Sequence, residues 1–109
     1  MMPRITTYAI SFETVKKASS AIQEQISSLL SLPSEYVTIA VNADTFIQDG
    51  AVVQGSPFVE ICLFDRGEEQ EDAIAHVVTA ELRKSGCGDV DVYLTKLERR
   101  RYFENGKHF

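Results

Sequence analysis

The pattern of apolar and polar positions predicts that the chain begins with a strand and a helix. Residues 4–10 are rich in β-branched and aromatic side chains, which favours a strand, and Ser11 is a good helix-capping residue. Apolar residues then recur at three- and four-residue spacing from Phe12 to Leu30, which predicts one buried helix face. Pro33 cannot continue a helix, so we place the end of this one near Leu32.

Alternating polarity continues into a second strand and a hairpin. Apolar and polar residues alternate over 36–47, as in a strand with one buried face. Asp49-Gly50 is a strong signal for a two-residue hairpin turn, and residues 51–53 could form a short returning strand.

The stretch PFVEICLFDR, residues 57–66, predicts the strand around which the sheet is organised. Its apolar side chains fall on both faces, with Val59, Ile61 and Leu63 on one side and Phe58, Cys62 and Phe64 on the other. Such a strand belongs in the interior of a sheet that is covered on both sides. Proline at its first position is tolerated, because a missing backbone donor costs least there.

A second helix and a further strand follow. The acidic run 68–72 suits the positive end of a helix dipole, Arg83 and Lys84 suit the negative end, and the 86–88 glycine pair ends the helix. Residues 90–95 alternate as a strand, and Asn105-Gly106 predicts a hairpin in the tail.

The order of these elements predicts an α+β fold in one domain, residues 1–109, made of two similar β-α-β units. Parallel pairing within each unit would give a four-stranded sheet with both helices on one face. The other face would then be a large apolar patch, so we expect a homo-oligomer. A ferredoxin-like sandwich, which shares this element order, stays open as the alternative fold.

Composition and charge narrow the function classes. The net charge of −5 argues against binding to nucleic acid, which usually needs a basic excess. No stretch is long and apolar enough for a membrane helix, and the start lacks the features of a signal peptide, so we expect a cytoplasmic protein. Cys62 and Cys87 are too far apart for a C-x-x-C site, so we expect reduced thiols and no metal.

Three motifs carry a family resemblance. They are Met2-Pro3 at the start, the 57–66 strand, and the ending NGKHF at residues 105–109. Together they resemble the tautomerase superfamily, which includes macrophage migration inhibitory factor and 4-oxalocrotonate tautomerase. Within it they are most similar to a small bacterial family of unknown function with that fold. In that family the central strand usually carries a tryptophan where Leu63 stands here.

The resemblance implies a homotrimer and a candidate site. In the tautomerases an amino-terminal proline is the general base, which makes Pro3 the catalytic candidate and a small anionic keto acid the expected substrate. Arg66, and more weakly Arg4, would bind the substrate carboxylate. Tyr102 and His108 would reach the site of a neighbouring subunit, and no cofactor would be needed.

Each candidate also has a purely structural interpretation. Pro3 is a base only if the chain begins at Met2 and loses it, because an internal proline nitrogen is an amide. Arg66 could instead form a salt bridge with Asp65 or with the acidic helix start, and the run 99–101 could be a solvated strand end or an anion-binding rim. A tautomerase and a non-enzymatic trimer or ligand-binding module therefore both stay open.

Overall fold

The computed structural model describes residues 2–108 as a four-stranded sheet with two helices packed on one face. Met1 and Phe109, the last residue of the predicted terminal motif, lie outside the described residues. The helices are α1, Phe12–Leu30, and α2, Glu68–Lys84. The main strands are β1, Arg4–Tyr8; β2, Thr38–Asn42; β5, Phe58–Phe64; and β6, Asp91–Leu97. Two hairpins complete the chain: β3, Phe46–Gln48, with β4, Ala51–Val53, and β7, Phe103–Glu104, with β8, Lys107–His108.

The sheet topology confirms the two predicted β-α-β units. The strand order is β2-β1-β5-β6, with β1 parallel to β2, β5 parallel to β6, and β1 antiparallel to β5 at the centre. The two strands of each unit are thus direct neighbours, which differs from the split β-α-β arrangement of a ferredoxin-like sandwich. The α+β prediction is confirmed, and β5 lies in the interior of the sheet, as its sequence indicated.

Both helices begin where the sequence predicts. Ser11 caps α1, with its Oγ accepting a hydrogen bond of 3.2 Å from the Thr14 amide. The helix ends at Leu30, two residues before the predicted end, because Ser31 adopts a left-handed conformation. α2 starts after Gly67 with acidic side chains in its first turn and basic ones in its last.

Two strand boundaries and the burial of one residue also differ from the prediction. The first strand ends at Tyr8, two residues early, since Ala9 has a φ of 59°. The expected continuous strand over 36–47 is divided into the end of a 3-10 turn, β2 and β3. The break between β2 and β3 occurs because the chain leaves the sheet after Asn42. Phe12, assigned to the buried face of α1, is 60% exposed. Phe12 lies before the first α1 residue whose side chain reaches the core.

The core lies between the helices and one face of the sheet. It is formed by Ile5 of β1, the alternating residues of β5, and the apolar faces of α1 and α2. The most deeply buried large side chains include Ile5, Ile22, Ile26, Ile61, Leu63, Ile74 and Leu82. Fully burying one such side chain is worth about 1.5–3 kcal/mol, so these layers hold the sheet and helices together.

The opposite sheet face is mixed, so the large apolar patch expected there is interrupted by polar side chains. The registers place Arg4, Thr6, Glu60 and Thr95 on it, and the Glu60 carboxylate accepts a hydrogen bond of 2.8 Å from Thr95 Oγ1. Burial and the nearby Glu60 carboxylate raise the pKa of the Cys62 thiol, which keeps it protonated. Tyr8 and Phe58 stack on this face with ring centroids 4.4 Å apart.

Residues 2–108 contain neither a membrane-spanning helix nor a cluster of metal ligands. No helix there is both long and apolar enough to cross a bilayer. Within the same residues, no three histidine, cysteine or carboxylate side chains lie close enough together to hold a metal ion.

Candidate functional site

Two arginines meet at one end of the sheet because the strands before them are parallel. Phe64 and Leu97 are paired across β5 and β6, and each is followed two residues later by an arginine, Arg66 and Arg99. Parallel strands end at the same edge of a sheet, so both side chains reach the same place. In open sheets of this kind, ligands commonly bind beyond the carboxyl ends of parallel strands.

Both arginines line a small pocket of about 90 Å³. We call it the arginine pocket. Its other walls are apolar or aromatic side chains from the chain start, the segment after α1, the end of β5 and the tail: Met2, Leu32, Tyr36, Phe64 and Tyr102. The combination of apolar walls with two guanidinium groups suits a small ligand that carries a carboxylate.

Phe64 holds two of the wall residues in place. The Arg99 guanidinium lies 4.8 Å from the centre of the Phe64 ring, at cation-π distance. Tyr102 packs edge-to-face on the same ring, with centroids 5.4 Å apart. Phe64 is itself buried, so it provides a fixed support for Arg99 and Tyr102.

Arg66 is half-buried and points into the pocket rather than into a salt bridge. The structural alternative paired it with Asp65 or with the acidic start of α2, but no ion pair within residues 2–108 includes it. Asp65 instead lies 3.9 Å from Lys96 and accepts a hydrogen bond from the Gly67 amide. Among the described residues, the Arg66 guanidinium therefore has no carboxylate competing with a ligand.

Pro3 lies at the head of β1, one residue from the pocket wall. It is buried, and its carbonyl accepts a hydrogen bond of 3.2 Å from the Thr38 amide. Met2 lines the pocket, and its carbonyl carbon is bonded to the Pro3 nitrogen. With Met2 in place this nitrogen is an amide and has no basic lone pair.

The other two predicted residues lie outside the arginine pocket. Arg4 is exposed on the open sheet face, because it alternates with the inward-facing Ile5. His108 lies exposed on the tail hairpin, with its ring centroid 4.7 Å from that of Phe103. Within one chain, the structure thus brings together Arg66, Tyr102 and the residue before Pro3, but neither Arg4 nor His108.

Arg99 is the residue that sequence reasoning undervalued. The sequence favours a solvated strand end for the run 99–101; Arg99 and Arg100 are both exposed, but Arg99 also lines the pocket. The available signal was positional, since Arg99 follows β6 by the same two residues by which Arg66 follows β5. That equivalence becomes visible only once the two strands are known to be parallel and in register.

An open groove continues from the pocket. It has a volume of about 540 Å³ and shares Phe64 and Arg99 with the pocket. The rest of its lining is Asp65, Lys96, Leu97 and Glu98. A ligand longer than the pocket would extend past the Lys96–Asp65 pair.

Comparison with solved structures shows which proteins share this fold. A domain of unknown function from Sebaldella termitidis, DUF1904, superposes with a TM-score of 0.87 at 28% identity, covering 99% of this chain and 100% of that one. The wild-type fused 4-OT asymmetric trimer gives a TM-score of 0.77 at 13% identity, covering 97% and 95%. A macrophage migration inhibitory factor-like protein from Entamoeba histolytica gives 0.71 at 16%, with full coverage of both chains.

The two more distant neighbours show a shared fold, which is that of the tautomerases. No curated protein matches the chain in sequence. A family model does match, and it spans residues 2–108, from the methionine before Pro3 to His108. The chain therefore belongs to the DUF1904 family, a family of domains of unknown function.

Proposed function

We propose that this chain, once it begins at Pro3, is a cofactor-independent tautomerase of small 2-oxo acids. The observation that supports this most is the arginine pocket, where Arg66 and Arg99 face an apolar cavity beside the residue preceding Pro3. The pocket offers a carboxylate site and a position for a basic nitrogen within one small volume. Tautomerases share the fold, which makes proton transfer at carbon the natural reaction class.

The reaction needs only a base, an anion site and a proton. The free amine of Pro3 would take a proton from the carbon next to the substrate carbonyl, and the C–H electrons would form the carbon–carbon double bond of the enol. The carbonyl oxygen would then accept a proton, from water or from the protonated amine. Arg66 and Arg99 would hold the carboxylate and stabilise negative charge that develops on the neighbouring oxygen.

The pocket would also tune the base. Apolar walls disfavour a charged amine, and two nearby guanidinium groups repel it. Both effects lower the pKa of the prolyl amine, so a larger share of it is unprotonated at neutral pH. A lowered pKa is the direction that catalysis requires, because only the unprotonated amine can accept a proton.

Self-association is part of this proposal. The fused 4-OT neighbour is an asymmetric trimer, and among residues 2–108 of this chain both helices pack on the same face of the sheet, which leaves the other face without a helix layer. In a trimer, Arg4 on that face and His108 on the tail would be free to approach the pocket of an adjacent copy. Such an arrangement would give these two predicted residues a role that the single chain does not provide.

One observation favours a second function. With Met1 and Met2 retained, the Pro3 nitrogen is an amide, while Arg66 and Arg99 still face the pocket. That form would bind a small carboxylate without transforming it. The non-enzymatic ligand-binding module is therefore the alternative, and it differs from the tautomerase by two residues at the chain start.

A comparison of two chain starts tests the proposal. A gene encoding a single methionine before Pro3 should yield a chain that begins at Pro3, because aminopeptidases remove methionine before a small residue. Intact mass confirms each start. The Pro3 chain should ketonise phenylenolpyruvate or a smaller enol acid above the buffer rate, and an electrophilic keto-acid analogue should label the Pro3 nitrogen.

The chain that retains Met1 and Met2 is the matched control and should be inactive and unlabelled. Equal activity of the two chains would exclude proline as the base. If the Pro3 chain binds enol acids but turns over none of several, the ligand-binding alternative is correct.

A further inference from the structure

We infer that the Tyr36 hydroxyl donates a hydrogen bond to the carbonyl oxygen of the substrate and stabilises the negative charge that the reaction places on it. The inference rests on the tautomerase function proposed above and adds a group that the site needs besides a base and an anion site. When the carbon next to the carbonyl loses a proton, the electron pair moves onto the carbonyl oxygen and an enolate forms. A donor aimed at that oxygen lowers the barrier, because it binds the enolate more tightly than the ketone.

Tyr36 lies beside the position of the base. The Thr38 amide donates a hydrogen bond of 3.2 Å to the Pro3 carbonyl, which joins the chain start to the segment that leads into β2. Tyr36 is two residues before Thr38, and Met2 is one residue before Pro3. Both of these preceding side chains line the arginine pocket. The phenol therefore shares one small cavity with the position that the free prolyl nitrogen would occupy.

Tyr36 and the two arginines enter the pocket from different parts of the fold. Arg66 and Arg99 follow β5 and β6, whereas Tyr36 belongs to the turn between α1 and β2. In a 2-oxo acid the carbonyl carbon lies between the carboxylate and the reacting carbon. Binding the carboxylate at the guanidinium groups and the reacting carbon at the prolyl nitrogen would thus place the carbonyl oxygen between these two positions. The other polar groups of the described pocket lining are the hydroxyls of Tyr36 and Tyr102.

Of these two hydroxyls, that of Tyr36 is on the side of the base. Tyr102 packs edge-to-face on the Phe64 ring, which also supports Arg99, so it belongs to the side that would hold the carboxylate. Tyr36 is half-buried beside the chain start. Within residues 2–108, no hydrogen bond involves the Tyr36 hydroxyl, so this group is available to a ligand.

The backbone holds Tyr36 in a fixed position. It ends the 3-10 turn Ser34–Tyr36, and its amide donates a hydrogen bond of 3.0 Å to the Pro33 carbonyl. The next residue, Val37, is fully buried, and its carbonyl accepts a hydrogen bond of 2.9 Å from Gln23 of α1. This anchoring on both sides restricts the backbone that carries the ring. A donor that is already in place costs no reorganisation when charge develops on the oxygen.

The first test measures binding and needs no catalysis. The ligands 2-oxobutyrate and butyrate differ in the carbonyl oxygen, and Tyr36→Phe removes only the hydroxyl, so the four combinations isolate the contact between them. Calorimetric titration of the chain that retains Met1 and Met2 should show that Tyr36→Phe weakens 2-oxobutyrate binding by about threefold to tenfold, as expected for one hydrogen bond, and leaves butyrate binding unchanged. The matched control Tyr8→Phe removes the same group at the far end of β1, outside the pocket lining, and should change neither affinity.

The second test measures the reaction. In heavy water the Pro3 chain should exchange the hydrogens next to the carbonyl of 2-oxobutyrate for deuterium, which NMR spectroscopy follows directly. Tyr36→Phe should lower kcat of this exchange by roughly 100-fold, the cost of losing one donor to a developing oxyanion, and should change KM by less than about tenfold. A residue that only fills the pocket wall would change KM or the urea midpoint of unfolding without this loss of kcat.

Three results would overturn the role of Tyr36: an equal loss of affinity for both ligands, no loss for either, or an unchanged kcat when Tyr36→Phe is made in an active Pro3 chain. A wild-type chain that binds neither carboxylate would overturn the arginine pocket and this inference together. An inactive Pro3 chain would overturn the tautomerase proposal, while the titrations would still decide whether Tyr36 contacts the carbonyl oxygen.

Discussion

The two prolines that begin the two β-α-β units occupy equivalent positions but different surroundings. Pro3 precedes β1 and accepts a hydrogen bond of 3.2 Å from Thr38 on the parallel neighbour β2; Pro57 precedes β5 and accepts one of the same length from Asp91 at the start of β6. This hydrogen bond is thus repeated at opposite ends of the sheet. The side chains around the two prolines differ.

Those side chains decide which end can bind an anion. Arg66 and Arg99 line the pocket beside the residue preceding Pro3. The depression at Pro57 is lined by Ser56, Val90 and two carboxylates, Asp89 and Asp91. An acidic keto acid would be attracted to the first end and repelled by the second. The repeat therefore supplies two similar strand heads, and charge makes one of them a candidate site.

Arginine substitutions at the Pro3 end and the Pro57 end of the sheet should differ most in their effect on carboxylate binding. Arg66→Ala should lower carboxylate affinity, or kcat/KM of the Pro3 chain, by roughly 100-fold, since a charge-assisted bidentate contact is worth about 3 kcal/mol. The control is Arg83→Ala, which removes an exposed arginine paired with Asp89 near the Pro57 end and should change neither value. Calorimetric titration with 2-oxobutyrate measures affinity independently of turnover. Equal effects of the two substitutions would remove the distinction between the ends.

A substitution at the Pro57 end should affect stability without affecting binding. Gly55→Ala places a Cβ against the Phe46 ring, which must move away from Phe58, and the expected cost is about 1–3 kcal/mol of unfolding free energy. Urea denaturation measures this loss, with Gln54→Ala as the neighbouring control. Carboxylate affinity should stay within twofold of wild type. An unchanged urea midpoint would show that the Phe46 ring does not anchor the β3–β4 hairpin.

The smallest expected effect concerns Met2. Its side chain lines the pocket of the untrimmed chain, so Met2→Ala should enlarge the site and strengthen carboxylate binding by about threefold to tenfold, near 1 kcal/mol. Met2→Leu keeps the volume and should bind as the wild-type chain does. Both variants should be inactive, because the Pro3 nitrogen remains an amide. Tighter binding by the leucine variant than by the alanine variant would contradict this role of Met2.

The sequence predicted the fold well because most of its information is local. Periodicity located both helices, turn residues located both hairpins, and the two-sided apolar pattern of β5 placed that strand inside the sheet. The errors arose where tertiary contacts override the local pattern. The 36–47 alternation did not reveal that the chain leaves the sheet after Asn42, because that break depends on Phe46 packing against Gly55 and Phe58.

The candidate site was predicted less completely, since it depends on strand register. Arg66 and Tyr102 were named from the family resemblance, and the structure places both in one pocket. Arg99 needed the pairing of Phe64 with Leu97, which no spacing in the sequence gives. The mixed open face was missed for a similar reason: the apolar pattern of β5 was extended to the whole sheet, while Arg4 and Thr6 of β1 and Thr95 of β6 make it partly polar.

The position of Met2 and Tyr102 in the walls of one pocket has a practical consequence for handling this protein. Any affinity tag or fusion partner joined before Met2 would begin beside that cavity, and one joined after the tail hairpin would follow closely behind Tyr102. A label at either end would obstruct the cavity, and a label before Met2 would also prevent liberation of the prolyl nitrogen. The glycine-flanked loop at 86–88, which follows α2 and lies outside the pocket lining, is the better place for a reporter group.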